Sequence, residues 1–161
     1  MKFKTIDDLL HEHPFFAGMD AAWLELIAGC GQNVVYPPGS LVAKEGDEAV
    51  EFFAVRSGRV AIELYSSVAG SLTVQTLGTG AICGWSWILP PHRWNFDVRA
   101  VETTRAVRFD ATCLRAKCEQ SPTMGYEFMK RFAGVMTDHL QATRLQLLDV
   151  YGTRNVEAAD D

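Results

Sequence analysis

Val55-Arg56-Ser57-Gly58-Arg59-Val60-Ala61-Ile62-Glu63-Leu64-Tyr65 reads as two strands joined by a glycine turn. Val60, Ile62 and Leu64 alternate with Ala61, Glu63 and Tyr65, the period of two that sends every second side chain to one face. Ser57-Gly58 supplies the backbone freedom that a tight reversal needs. The same pattern extends in both directions. Upstream, Val34-Val35-Tyr36 runs into the turn Pro37-Pro38-Gly39-Ser40, and Leu41-Val42-Ala43 into Glu45-Gly46-Asp47, before Phe52-Phe53-Ala54-Val55. Downstream come Leu72, Val74 and Leu77, then Phe96, Val98 and Ala100, then Val107 and Phe109. Short strands punctuated by glycine turns over residues 32–109 predict a β-sandwich or barrel.

Helical periodicity flanks this region. In residues 1–31, Ile6, Leu9 and Leu10 recur at helical spacing, and Asp20 is an N-cap for Ala21–Ala28, with Trp23, Leu24 and Ile27 on one face and Gly29 near the end. In residues 110–152, Asp110 caps a helix over Ala111–Gln120, and Ser121-Pro122 opens a longer one to about Val150. Along it Met129, Ala133, Met136, Leu140, Thr143, Leu147 and Val150 alternate spacings of four and three, a heptad seam. Phe128, Phe132 and Val135 form a second apolar edge, expected to face the barrel. Two apolar faces need two partners, so a homodimer through this helix is expected. Thr153–Asp161 is left as an acidic tail.

The chain has 161 residues, enough for one domain with a substantial core, and a net charge of −5 that does not favour nucleic acid or anionic lipid. No apolar run is long enough to span a bilayer, and the start lacks the apolar stretch of a secretory signal, so a cytoplasmic protein without a membrane partner is expected. Cys30, Cys83, Cys113 and Cys118 are scattered without CxxC spacing. They are expected to be small buried thiols, neither a disulfide framework nor a metal site.

The succession His13-Pro14-Phe15-Phe16, Pro38-Gly39, Glu45-Gly46-Asp47, Val55-Arg56-Ser57-Gly58, Gly78-Thr79-Gly80 and Val98-Arg99-Ala100 resembles the cyclic-nucleotide-binding domain family, in its Crp/Fnr-like branch. Over residues 1–152 the resemblance implies a mainly β fold with flanking helices, an eight-stranded jelly-roll barrel (a double-stranded β-helix) followed by a long C-terminal dimerisation helix. Leu148-Asp149-Val150-Tyr151-Gly152 looks like the hinge that precedes a helix-turn-helix in DNA-binding relatives. If Asp161 ends the chain, no such domain follows and DNA binding is not expected. In the family a Gly-Glu pair and a later Arg hold the ribose and the cyclic phosphate. Here the corresponding cassette is Gly84-Trp85-Ser86-Trp87-Ile88-Leu89-Pro90-Pro91-His92-Arg93-Trp94-Asn95, with Gly84 kept, Trp85 in place of the Glu and Trp94 in place of the Arg. Replacing that guanidinium forfeits a contact of about 1.5–3 kcal/mol.

Three alternatives stay open at this point. The tryptophans fill the vacated pocket, or they line a cavity for a planar aromatic ligand oriented by Ser86, Arg93 and Asn95, or a one-residue shift lets Arg93 hold cAMP or cGMP. Thr143 and Arg144 match the family's base-contacting position on the dimer helix. A haem-based sensor is a further possibility, with Cys83 and His92 or His139 as axial ligands. No cofactor is otherwise indicated. No GxSxG, HExxH, Walker A or paired-carboxylate motif points to an enzyme. The expectation is a non-catalytic regulatory domain of a bacterial type, nucleotide-like ligand or none, acting on a protein effector. Stand-alone relatives with similar cassettes accompany redox enzymes, which puts that class among the candidate effectors.

Overall fold

The computed structural model describes residues 3–159, with side chains described as far as residue 149. Thr5 opens the first helix, α1 (Ile6–Glu12), with a capping box in which its hydroxyl accepts from the Asp8 N–H and the Asp8 carboxylate accepts from the Thr5 N–H. After a 3-10 turn at Pro14–Phe16, Asp20 caps α2 (Ala21–Ala28) through the Ala22 N–H, as the sequence predicts.

The period-two segments form eight strands: β1 (Gly31–Tyr36), β2 (Leu41–Ala43), β3 (Glu51–Ser57), β4 (Val60–Ser66), β5 (Gly70–Leu77), β6 (Ile82–Cys83), β7 (Asp97–Ala100) and β8 (Thr104–Asp110). They make two four-stranded antiparallel sheets in the orders β1-β8-β3-β6 and β2-β7-β4-β5, the jelly-roll arrangement. The β3–β4 turn tolerates no side chain at its centre. Gly58 has φ +92°, and a Cβ there would lie 2.4 Å from the Thr103 carbonyl oxygen.

Asp110 caps α3 (Ala111–Gln120) by accepting from the Cys113 N–H, and Pro122 opens α4 (Pro122–Ala159). The helix passes through the segment where the sequence suggested a hinge. Side chains from Val150 onward, including the last seam residue and the acidic tail, lie outside the described residues. Phe128 and Phe132 are fully buried, so this edge of α4 does face the barrel. There Phe52 stacks on Phe109 at 4.7 Å and on Trp87 at 5.1 Å, and meets Phe132 edge-on at 5.1 Å. Along the opposite edge Leu140 is 60% and Leu147 56% exposed and Ala133 is exposed, while Met129 and Met136 are half-buried.

The cysteines require a correction. Cys30 and Cys113 form a disulfide across a separation of 83 residues, and the free thiols are Cys83 and Cys118. Sequence spacing carried no sign of the pair because the barrel creates it. The β1–β8 register sets Gly31 opposite Phe109, which brings the residue before β1 to the first turn of α3 with a Cα–Cα distance of 5.8 Å. The Asp110 N–H donates to the Cys30 carbonyl at 2.9 Å in the same place. Among the described residues, no helix is long and apolar enough to cross a membrane.

Candidate functional site

The cassette between β6 and β7 builds no helix. Its backbone makes two successive turns, with Ile88 N–H donating to the Trp85 carbonyl and His92 N–H to the Leu89 carbonyl, and the Pro90-Pro91 bond is cis. The helix N-terminus that would present several N–H groups to an anion is therefore missing from this segment.

The second half of the cassette is zipped to the turn between β2 and β3. Trp94 N–H donates to the Asp47 carbonyl at 3.0 Å, Gly46 N–H donates to the Trp94 carbonyl at 2.9 Å, and Ala49 N–H to the His92 carbonyl at 2.7 Å. This extended pairing fixes which side chains point inward. Trp94, Phe96 and Val98 are buried, whereas Arg93, Asn95 and Arg99 are exposed. Arg93 donates from a terminal nitrogen to the Gly46 carbonyl at 3.0 Å, on the outer side. It does not share the inner face with Gly84, and Asn95 is likewise turned out. The proposed one-residue shift fails for a simple reason: neighbours in an extended segment face opposite ways.

The Trp94 indole lies on Gly84. A Cβ at Gly84 would be 2.6 Å from Trp94 Cη2, and the Gly84 backbone has φ +102°. Phe53 and Phe96 hold the indole from two further sides, with centroids at 6.2 Å and 5.9 Å. Trp87 is drawn into the core against Phe52 and Phe132, with its Nε1 buried and unpartnered. Ser86 is also buried, and its hydroxyl has no partner. Trp85 is half-buried, packing on Phe96 at 5.4 Å and on His139 of α4 at 4.7 Å.

A family model described as the cyclic nucleotide-binding domain matches residues 33–121. The chain belongs to the cyclic nucleotide-binding domain family. It is 30% identical over 113 residues to cyclic nucleotide-gated ion channel 1 of Arabidopsis thaliana, covering 67% of this chain but only 16% of the channel's length. A Geobacter metallireducens GS-15 protein, provisionally named as cyclic nucleotide-binding, superimposes with a TM-score of 0.74 at 28% identity, over 83% of this chain and 97% of that one. The catabolite activator protein of Thermus thermophilus shares the fold at 22% identity, with a TM-score of 0.67 over 86% of this chain and 63% of that one.

The Trp94 indole sits against Gly84, the residue that the sequence resemblance matches to the family's glycine. From α4, Phe132 packs on Trp87 and His139 on Trp85, with Asp138 beside it; Thr143 and Arg144 are exposed one turn further on, where the Thr143 hydroxyl donates to the His139 carbonyl at 2.9 Å. Sequence reasoning missed Asp138 and Gln75 and offered His139 only as a haem ligand, although Phe128, Phe132, Val135 and His139 continue one spacing of four, three and four. The inner edge of α4 was thus extendable to His139 by counting.

The residues suggested for a haem do not fit one. Cys83 is buried on β6 opposite Phe53, and burial pushes its thiol up to about 12. His92 lies in the outer turn of the cassette, and His139 is held by Trp85 and by Gln75.

Proposed function

We propose that this chain is a non-catalytic regulatory domain that works as a homodimer through α4 on a partner protein, and that it does not take cyclic nucleotide in the family's usual way. The observation that supports this most directly is the Trp94 indole against Gly84, where the sequence resemblance sets the family's cyclic phosphate. A phosphate there would have to displace a buried ring, and it would meet neither a guanidinium nor a helix N-terminus. Leaving a desolvated phosphate unpaired costs several kcal/mol. For the dimer, the support is the outer edge of α4: a seam at heptad spacing, exposed at Leu140 and Leu147.

Calorimetric titration of the full chain with cyclic AMP and cyclic GMP is the test. No saturable heat is expected up to millimolar nucleotide. Micromolar binding of either nucleotide would refute the proposal, because the indole would then have to move aside at little cost.

A further inference from the structure

The Cys30–Cys113 disulfide joins two points that the fold already holds together. Beside it the Asp110 N–H donates to the Cys30 carbonyl at 2.9 Å, the Ala111 N–H to the Val50 carbonyl at 2.9 Å, and the Lys117 ammonium to the Leu26 carbonyl. Ala111 and Leu114 fix α3 to the core as fully buried side chains, and the β1–β8 register runs unbroken from Gly31 to Tyr36. A core of this extent does not depend on a crosslink, unlike that of a small secreted domain. The barrel therefore stands in both oxidation states.

The bond is also within reach of solvent. A groove of about 200 Å³ leads to Cys30 between Gln32, Val50, Glu51, Arg108 and Asp110, and Cys113 is half-buried. Two carboxylates face this groove, Glu51 and Asp110, the second accepting from the Cys113 N–H at 2.9 Å. The Arg108 guanidinium is already committed, donating to Gln32 Oε1 at 2.7 Å and lying 3.6 Å from Glu51 Oε1. The balance is negative, which makes the groove a poor path for an anionic thiol.

We propose that Cys30–Cys113 is a thiol–disulfide exchange site, at which an uncharged or cationic dithiol sets how firmly α3 is anchored to the barrel. A thiolate of the dithiol attacks Cys30 Sγ from the groove. A bond forms between that sulfur and the reductant, the Cys30–Cys113 bond breaks, and its electron pair leaves on Cys113 Sγ. The second thiol of the reductant then attacks the mixed disulfide and frees Cys30. The dithiol departs as a disulfide, and its two protons end on Cys30 and Cys113. α3 thereby loses its covalent tie to the N-terminal helices. The base of α4 shares that loss, because Gly125 packs so closely on α3 that a Cβ there would lie 3.1 Å from the Cys118 carbonyl oxygen.

The test treats the oxidised full chain with dithiothreitol in the absence of denaturant, and counts thiols after an acid quench and unfolding. The count rises from two to four with an unchanged far-ultraviolet circular dichroism spectrum, and oxidised dithiothreitol restores two. On reduction, hydrogen exchange at the amides of residues 111–115 accelerates about tenfold or more. Cysteamine, a cationic monothiol, leaves its mixed disulfide on Cys30 by peptide mass spectrometry. At equal thiolate concentration it reacts faster than the anionic mercaptoethanesulfonate, and Glu51→Gln narrows the difference. A bond that opens only in denaturant, or whose reduction melts the barrel, is a structural staple and overturns the proposal. So does a chain that keeps four thiols after oxidised dithiothreitol. Unchanged exchange in α3 overturns the anchoring, and a mixed disulfide on Cys113 or a faster anionic thiol overturns the assigned approach.

Discussion

At Gly84 a single methyl group decides whether the cassette can close. Its φ of +102° disfavours any L side chain, and the added Cβ would collide with the Trp94 ring at 2.6 Å. Gly84→Ala should lower the unfolding free energy by about 2 kcal/mol or more, measured by urea titration. Protonation acts on two other single residues. Burial holds both His13 and His139 below the usual imidazole pKa of 6.5. In the unfolded chain each binds its proton at a higher pH than in the fold. Their neutral packing therefore stabilises fully above pH 6.5, and that stability is lost as pH falls from 6.5 toward the lowered folded values. The melting temperature should drop across this window, and His139→Gln should flatten part of the fall. Little of this was open to inspection in the sequence alone. The departure of Trp85 and Trp94 from the family pattern was legible, but not where the rings would go. An indole can line a pocket or plug it, and the β2–β3 turn that aims Trp94 inward is some 47 residues away in the chain.

Among the elements, α4 has the clearest division of labour. Its inner edge is spent on the barrel through Phe128 and Phe132, while Leu140 and Leu147 stand in solvent in the single chain. Leu140→Glu should leave the fold intact and convert the proposed dimer to a monomer in sedimentation velocity. A variant that still sediments as a dimer would move the interface off this seam. Strands and capped helices were readable because each rests on a local signal: alternation for Val60–Leu64, an Asp N-cap for α2 and α3, a proline at the start of α4. The cassette has no such signal. It forms turns around two prolines, and contacts with distant elements order it: the backbone pairing with the β2–β3 turn and Arg115 of α3 donating to the Trp87 carbonyl. The sequence reading ended α4 at about Val150, with a hinge over residues 148–152, whereas the helix continues to Ala159.

Over the whole molecule, the barrel begins and ends at one seam. Cys30 and Cys113 close a loop around it, and the Lys117 ammonium donates to the Leu26 carbonyl beside them. In the chain-entropy account a loop of this size contributes on the order of 4 kcal/mol, so Cys113→Ser should lose a comparable amount in urea unfolding, and the wild-type chain should show two reactive thiols when denatured without reductant. Topology made this pair, and no residue near either cysteine announces it. The same closure governs how the molecule would answer a mechanical pull. Tension applied between the first and last residues runs from the N-terminal helices through the sulfur–sulfur bond into α3 and α4, and bypasses the strands. The oxidised barrel is thus slack to stretching, and a reductant would release roughly 280 Å of hidden contour from the 83-residue loop at about 3.4 Å per residue.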